Sequence, residues 1–365
     1  MYKKLLLIAL MAANMSSVTA QKTTIFTDAE LNYKRGMDFY DKGLFGQAKH
    51  EFDVLLSDVR LAQEPQYASI LANAELNRAR CAVQMGDQDG EQLISDFIRK
   101  YSPDPVGANA VIEMGNYYYN AKKYDEASRF YDMLSVSDMS SGQRQEVKFK
   151  QGYAYFINKK FPQAKGAFRL IKDTDGQYYY PANYYYAMTC FFDGSYDEAI
   201  KSFEKVSSFK KYKPLIPYYV AQIYFAQGKY DKLIQTVEPS LKESETNNLR
   251  ELNQLVGQSY FEKENYKKAQ PLLEKYAEGS SQMREEEFYQ LGFTQYKNAD
   301  YKKAIKNFQE ISSLDNNIGQ NASYYLADCF LKVNNRPSAR LALANAARLN
   351  FDKDMQEEAN FNYGS

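Results

Sequence analysis

The chain has little with which to do covalent chemistry. Its one histidine is His50, and its three cysteines, Cys81, Cys190 and Cys329, stand more than a hundred residues apart. A nucleophile–base pair or a zinc site needs such groups gathered at one place, and no Cys/His grouping can be built from these. No glycine-rich phosphate loop is present. The acids, though numerous, fall at the starts of predicted helices or in runs such as "REEEF" (284–288), where they are expected on outer faces. These features point to a non-catalytic protein without metal or cofactor. What the chain does carry is aromatic surface, with 33 Tyr and 22 Phe but no Trp in 365 residues. The stretch "QYYYPANYYYAMTCFFDGSYDEA" (177–199) is the densest part. Tyrosine offers a large contact area, two side-chain torsions and one polar tip, which suits non-covalent recognition as well as packing.

Elements that could position those rings emerge when the sequence is compared with itself. "IEMGNYYYNAKKYDEASRFYDML" (112–134) aligns with "FKQGYAYFINKKFPQAKGAFRLI" (149–171), with "YYYAMTCFFDGSYDEAIKSFEKV" (184–206) and with "YQLGFTQYKNADYKKAIKNFQEI" (289–311). Each copy has a small anchor residue: Gly36, Ala79, Gly115, Gly152, Ala187, Ala221, Gly257, Gly292 and Ala327. After a first gap of 43 residues the anchors are spaced by 34–37. Twelve residues past the anchor a second small residue recurs, as Ala48, Ala127, Ala164, Ala199, Ala269, Ala304 and Ala339, while Glu91 and Leu233 break the rule. Nine past it stands a ring, from Phe45 and Tyr124 to Tyr301, and sixteen past it a large apolar residue such as Phe52, Tyr131 or Phe308. Small residues allow two helices to approach closely, and a helix pair that cannot bury its apolar face alone must stack on the next. Asp125-Glu126 and Asp197-Glu198 suit a helix N-terminus, as do Pro162 and Pro337 in the first turn.

This pattern resembles the tetratricopeptide repeat, a helix–turn–helix unit of about 34 residues. "EMGNYYYNAKKYDEASRFYDML" carries the family's features through Met114-Gly115, Tyr118, Ala127 and Tyr131. The resemblance implies an all-α fold, a right-handed superhelical solenoid of helix–turn–helix repeats over residues 29–365. About nine copies are expected, with a tenth that stops near Tyr363-Gly364. The second copy, which follows a long connection through Pro65 and has the one closing proline at Pro103, departs furthest from the pattern.

The resemblance also implies where a ligand would lie. In the family the inner face of the first helix, helix A, lines a concave groove, with contact positions six and three before the anchor and one, four and five after it. Three before it stand Tyr33, Phe149, Tyr184, Tyr218, Tyr289 and Tyr324. Four after it stand Tyr40, Tyr119, Phe156, Phe191, Phe225, Phe261 and Tyr296. A spacing of seven puts both sets on one helical stripe, so these thirteen rings are the candidate binding residues. Tyr118, Tyr155, Tyr224 and Tyr260, three after the anchor, are expected to pack. Asn116 fits the asparagine of the carboxylate-gripping subtype, but the basic partners of that subtype are missing.

The N-terminus, "MYKKLLLIALMAANMSSVTA", has two lysines, a short apolar run and a small-residue cleavage site before Gln21, the pattern of a secretory signal peptide over residues 1–20. Residues 21–28 then form a short N-terminal segment. The apolar run is far below the roughly 20 residues of a spanning helix. The formal charge of zero gives no basic footprint for nucleic acid or anionic lipid. The expectation is an exported bacterial protein of the periplasm or outer-membrane surroundings that binds other envelope proteins as a scaffold in outer-membrane or secretion-complex assembly. Homo-oligomerisation through the uncovered C-terminal copy is a further expectation. Two alternatives stay open: a glycan-binding module, and the repeat region of a longer protein.

Overall fold

The structure, a computed structural model, describes residues 28–363 except 103 and 279–281, and only the backbone of 138 and 363. The signal-peptide segment, residues 21–27, Pro103 and Gly364 lie outside the described residues. No strand occurs among those described. The elements are helix pairs, each a helix A followed by a helix B. The pairs are α1 (28–41) with α2 (Phe45–Ser57), α3 (Ala68–Met85) with α4 (Gly90–Tyr101), α5 (Pro105–Asn120) with α6 (Tyr124–Asp132), and α7 (Ser141–Ile157) with α8 (Phe161–Arg169). They continue as α9 (Tyr179–Phe192) with α10 (Tyr196–Val206), α11 (Ile216–Ala226) with α12 (Tyr230–Val237), and α13 (Leu249–Glu262) with α14 (Tyr266–Glu278). Then come α15 (Glu285–Lys297) with α16 (Tyr301–Ile311), α17 (Asn317–Lys332) with α18 (Arg336–Arg348), and last the single helix α19 (Lys353–Tyr363). The chain divides within α8 into two compact units, residues up to 167 and residues from 168.

Within each unit the anchors do what their size suggests. Every described anchor is buried, and so are all seven alanines twelve residues on. The residue sixteen past the anchor lies against the anchor itself. A Cβ on Gly115 would fall 2.4 Å from Tyr131 Cε1, and one on Gly36 2.5 Å from Phe52 Cε1, so only glycine fits under those rings. The same contact recurs at Gly292 under Phe308, where the Cβ position is 3.0 Å from Cε1.

The turn between helices A and B is equally regular. Seven residues past every one of the nine anchors the backbone is left-handed: Gly43, Gly86, Lys122, Lys159, Gly194, Gly228, Glu264, Ala299 and Asn334. Five of these are not glycine and carry the cost of that conformation. The amide eight past the anchor bonds back to the preceding turn, as Lys123 N does to Tyr118 O at 2.9 Å. This satisfies carbonyls that the helix leaves open.

The two departures in the repeat have structural reasons. In the second copy the close contact is made one residue early. Gly90, rather than Glu91, is buried, and a Cβ there would lie 2.9 Å from Val83 N, so α4 meets the backbone of α3 directly. Glu91 is exposed and accepts the Tyr118 hydroxyl at 2.8 Å. In the sixth copy Leu233 is fully buried where seven others have alanine, and α12 lasts only eight residues before a 3-10 turn, Glu238–Lys242.

His50 is exposed. All three cysteines are buried, and burial pushes the thiols of Cys81 and Cys329 up to about 11 and about 12. The acidic run 285–287 is not wholly on an outer face: Glu287 is 6% exposed and forms the centre of a network. It accepts from Tyr276 (3.1 Å), Gln254 (2.8 Å) and the Arg284 guanidinium (2.9 and 3.0 Å). Burial alone would raise this carboxyl, but the donors from Arg284 and Tyr276 outweigh it and hold it below the usual range.

Candidate binding surface

The thirteen candidate rings occupy two kinds of place. Rings four past the anchor lie at the end of helix A, across the turn from the ring that opens helix B. All seven make that pair: Tyr40–Phe45, Tyr119–Tyr124, Phe156–Phe161, Phe191–Tyr196, Phe225–Tyr230, Phe261–Tyr266 and Tyr296–Tyr301, with centroids 5.3–6.3 Å apart. Each of the seven candidates is half-buried, so an edge remains at the surface.

Of the six rings three before the anchor, three lie against helix B of their own copy. Tyr33 meets Phe52, Tyr184 meets Phe203 and Tyr289 meets Phe308 at 5.9–6.3 Å. Tyr184 is buried and stacks on Tyr212 at 4.2 Å, which places it in the packing of its unit. Burial pushes its hydroxyl up to about 12. Tyr289 is half-buried and stacks on Phe293. Phe149 stacks on Tyr153 at 6.4 Å. Tyr218 is half-buried beside Tyr219. Tyr324 is held by Glu358, to which its hydroxyl donates at 2.7 Å; that bond, then burial, pushes it up to about 12.

What joins one copy to the next is a set of rings outside the thirteen candidates: Tyr153 and Phe293 stand at the contact position one past the anchor, and Tyr219 and Tyr325 stand two before it. In unit 1, Tyr153 closes a triangle with Tyr119 and Tyr124 at 5.7–5.9 Å. In unit 2, Tyr219 covers Phe191 (5.3 Å), Phe293 covers Phe261 (6.1 Å) and Tyr325 covers Tyr296 (5.1 Å). For Tyr219 and Tyr325 the signal available in the sequence was the doubled tyrosine at 218–219 and 324–325. Cations take the same role in unit 1: the Arg80 guanidinium lies 4.9 Å from the Tyr40 ring centroid and Lys150 5.7 Å from that of Tyr119. Five past the anchor, Ile157 and Phe192 are exposed, Phe192 by 51%.

The residues three past the anchor form a separate row that ties helix A to the preceding helix B. Tyr155 donates to Asp132, Tyr260 to Glu238 at 2.9 Å and Gln295 to Glu274 at 3.0 Å. Burial, then the bond to Glu238, pushes the Tyr260 hydroxyl up to about 12.

Unit 1 also holds a hollow of about 270 Å³ on the inner side of α1, α3 and α5. Tyr40, Arg80, Gln84, Glu113, Tyr117 and Asn120 line it, together with Val83 and Met114. Arg80 is 3.3 Å from Glu113 and donates to Asn77 Oδ1 at 2.9 Å. Among the described residues no group of three or more His, Cys, Asp or Glu could hold a metal ion. Nor is any helix long and apolar enough to cross a membrane.

Paired helices of this length, with a small residue at the crossing, a ring laid over it and a period of 34–37, define an array of stacked helix–turn–helix repeats, the architecture that the resemblance to the tetratricopeptide repeat implied. No protein-family model and no curated protein sequence matches the chain. Among solved structures it is similar to a tetratricopeptide repeat protein from Parabacteroides merdae, at 18% identity over 73% of this chain and 99% of that one, with a TM-score of 0.38. It is also similar to the C-terminal part of a TPR repeat-containing protein from Cytophaga hutchinsonii, at 14% identity over 67% and 98%, with a TM-score of 0.48.

Proposed function

We propose that this protein is a non-catalytic scaffold that binds segments of other proteins along the inner faces of its A helices. The carrying observation is the row of half-buried ring edges four past the anchor, with Ile157 and Phe192 exposed beside it. Half-buried rings are held in place by their partners across the turn, so a bound segment would meet a surface that is already ordered. The N-terminal sequence pattern supports export, and with it a role among envelope proteins of the periplasm or outer membrane. Capture from envelope extract tests the reading. The mature chain is compared with a variant carrying Phe192→Ala, Tyr218→Ala and Phe225→Ala; Tyr184 is left alone because its removal would damage packing. A protein retained by the first and lost from the second supports the groove, and equal retention refutes it.

One observation favours a second reading, glycan binding. The 270 Å³ hollow in unit 1 combines two tyrosine rings with planar polar side chains, Arg80, Gln84, Glu113 and Asn120. Rings stack on sugar faces, and paired polar groups of this kind bond to hydroxyls. Saturation-transfer NMR with a panel of neutral oligosaccharides decides the matter: a signal removed by Tyr40→Ala supports it, and silence throughout excludes it.

A further inference from the structure

The bond that Tyr155, Tyr260 and Gln295 make three past the anchor is not made at the seam between α16 and α17. There the two positions hold Phe330 on α17 and Gln309 on α16. A phenyl ring can neither give nor take the hydrogen bond that Tyr155, Tyr260 and Gln295 make. An open groove of about 520 Å³ lies between α16 and α18 over α17, and Ser323 and Asn345 in its lining both donate to the Ser312 carbonyl. Leu326 and Ala342 form a buried part of its lining, Phe330 is half-buried, and Leu341 stands at its edge 74% exposed, flanked by Gln309 and Asn345.

The groove's own lining is uncharged, and the two helices that flank it are basic in a chain whose charges balance. Helices α16 and α18 carry Lys302, Lys303, Lys306, Arg336, Arg340 and Arg348 against one acid, Glu310. By helical period, Lys302 and Lys306 share the face of α16 that holds Gln309. Arg348 shares the face of α18 that holds Leu341 and Asn345, and its guanidinium donates to Asn345 Oδ1 at 3.1 Å. Glu310 falls on the side of Lys303, which is already 3.1 Å from Glu274.

We propose that this outer groove is a second docking site, for an amphipathic helical segment of a partner protein. The segment would have acidic flanks and lay one large apolar side chain over Leu326 and Phe330. Charge complementarity names the flanks, and the apolar floor names the anchor. An all-α surface has no strand edge to complete, so the occupant must satisfy its own backbone groups, as a helix does. The anchor requirement separates this surface from a purely electrostatic one for anionic membranes.

Selection from a displayed library of random 16-residue peptides on the full chain tests this, followed by fluorescence anisotropy of the enriched peptides. The expected peptides are net acidic with an apolar pair at i, i+3 or i, i+4. Leu341→Glu weakens them at least tenfold, Arg348→Glu weakens them several-fold, and salt weakens them further. The double variant Gln309→Glu/Phe330→Tyr gives this seam the tyrosine–glutamate pair of Tyr260 and Glu238 and abolishes binding while the protein stays folded. Tyr218→Ala leaves binding unchanged. The proposal is overturned if no peptide is enriched, if the peptides show no acidic bias, if they ignore Leu341→Glu, or if they are lost with Tyr218→Ala. It is also overturned if vesicles with 30% phosphatidylserine bind and compete with the peptides for the groove.

Discussion

The ring four past the anchor occupies the same place in both units and is covered by different chemistry. In unit 1 a cation lies over it, Arg80 over Tyr40 and Lys150 over Tyr119, the latter together with the ring of Tyr153. Each cation is also tied to an amide and a carboxylate, Arg80 to Asn77 and Glu113, Lys150 to Asn116 and Glu146. In unit 2 the cover is another ring: Tyr219, Phe293 or Tyr325. The backbone of the repeat thus fixes where a ring stands, while the next copy decides whether its surroundings are polar or apolar. On the proposed function, unit 1 would select polar or charged groups in a ligand and unit 2 apolar ones.

The largest effects belong to what the units share. Tyr131→Ala in unit 1 and Phe308→Ala in unit 2 each remove a fully buried ring from an anchor glycine, at a cost of roughly 3–5 kcal/mol. Because contacts in repeat arrays are between neighbours, hydrogen exchange is expected to rise mainly in the unit that carries the substitution. A rise spread evenly over both would break the treatment of the units as separate.

Next comes the Glu287 network, which belongs to unit 2. Glu287→Ala leaves Tyr276, Gln254 and Arg284 without their shared acceptor, a loss of about 1–3 kcal/mol in urea unfolding. The carboxyls of Glu287 and Glu274 both lie below their ordinary value in the folded state. The unfolded chain therefore binds their protons first, and the stability they add is present above the ordinary glutamate range and lost as pH falls through and below it. Thermal melts at pH 7 and pH 3.5 should show this loss, and it should be smaller in Glu287→Gln.

A smaller effect sharpens the contrast itself. Replacing Arg80 and Lys150 by methionine removes two cation–ring contacts of about 0.5–1 kcal/mol each. Ligand binding to unit 1 should then lose its salt dependence, whereas Phe192→Ala in unit 2 should weaken binding equally at low and high salt. Isothermal titration at two salt concentrations checks both.

The smallest expected change is a gain. Ala299→Gly or Lys122→Gly relieves a left-handed residue in the turn and should stabilise by about 0.5–1 kcal/mol, less than the full strain because glycine gives the unfolded chain more freedom. A loss of stability on either substitution would show that the side chain itself holds the turn.

The sequence alone carried the period, the helix pairs and the burial of every anchor, because a small residue at a helix crossing leaves the same signature in each copy. It also carried the ring sixteen residues on, since the ring and the small residue beneath it recur together. It did not carry the left-handed turn seven past the anchor, because the backbone there is set by how helix A ends, and Lys122, Glu264 and Ala299 adopt it as Gly43 does. The one-residue shift to Gly90 was hidden for a related reason: turn length can change while the period on either side is kept. Nor could the spacing of seven separate Tyr184, buried under Tyr212, from Phe225, which keeps an edge at the surface. A helical stripe has the same period whether it faces solvent, its own partner helix or the next copy. Which of these a ring meets depends on the neighbours that the tertiary stacking brings to it.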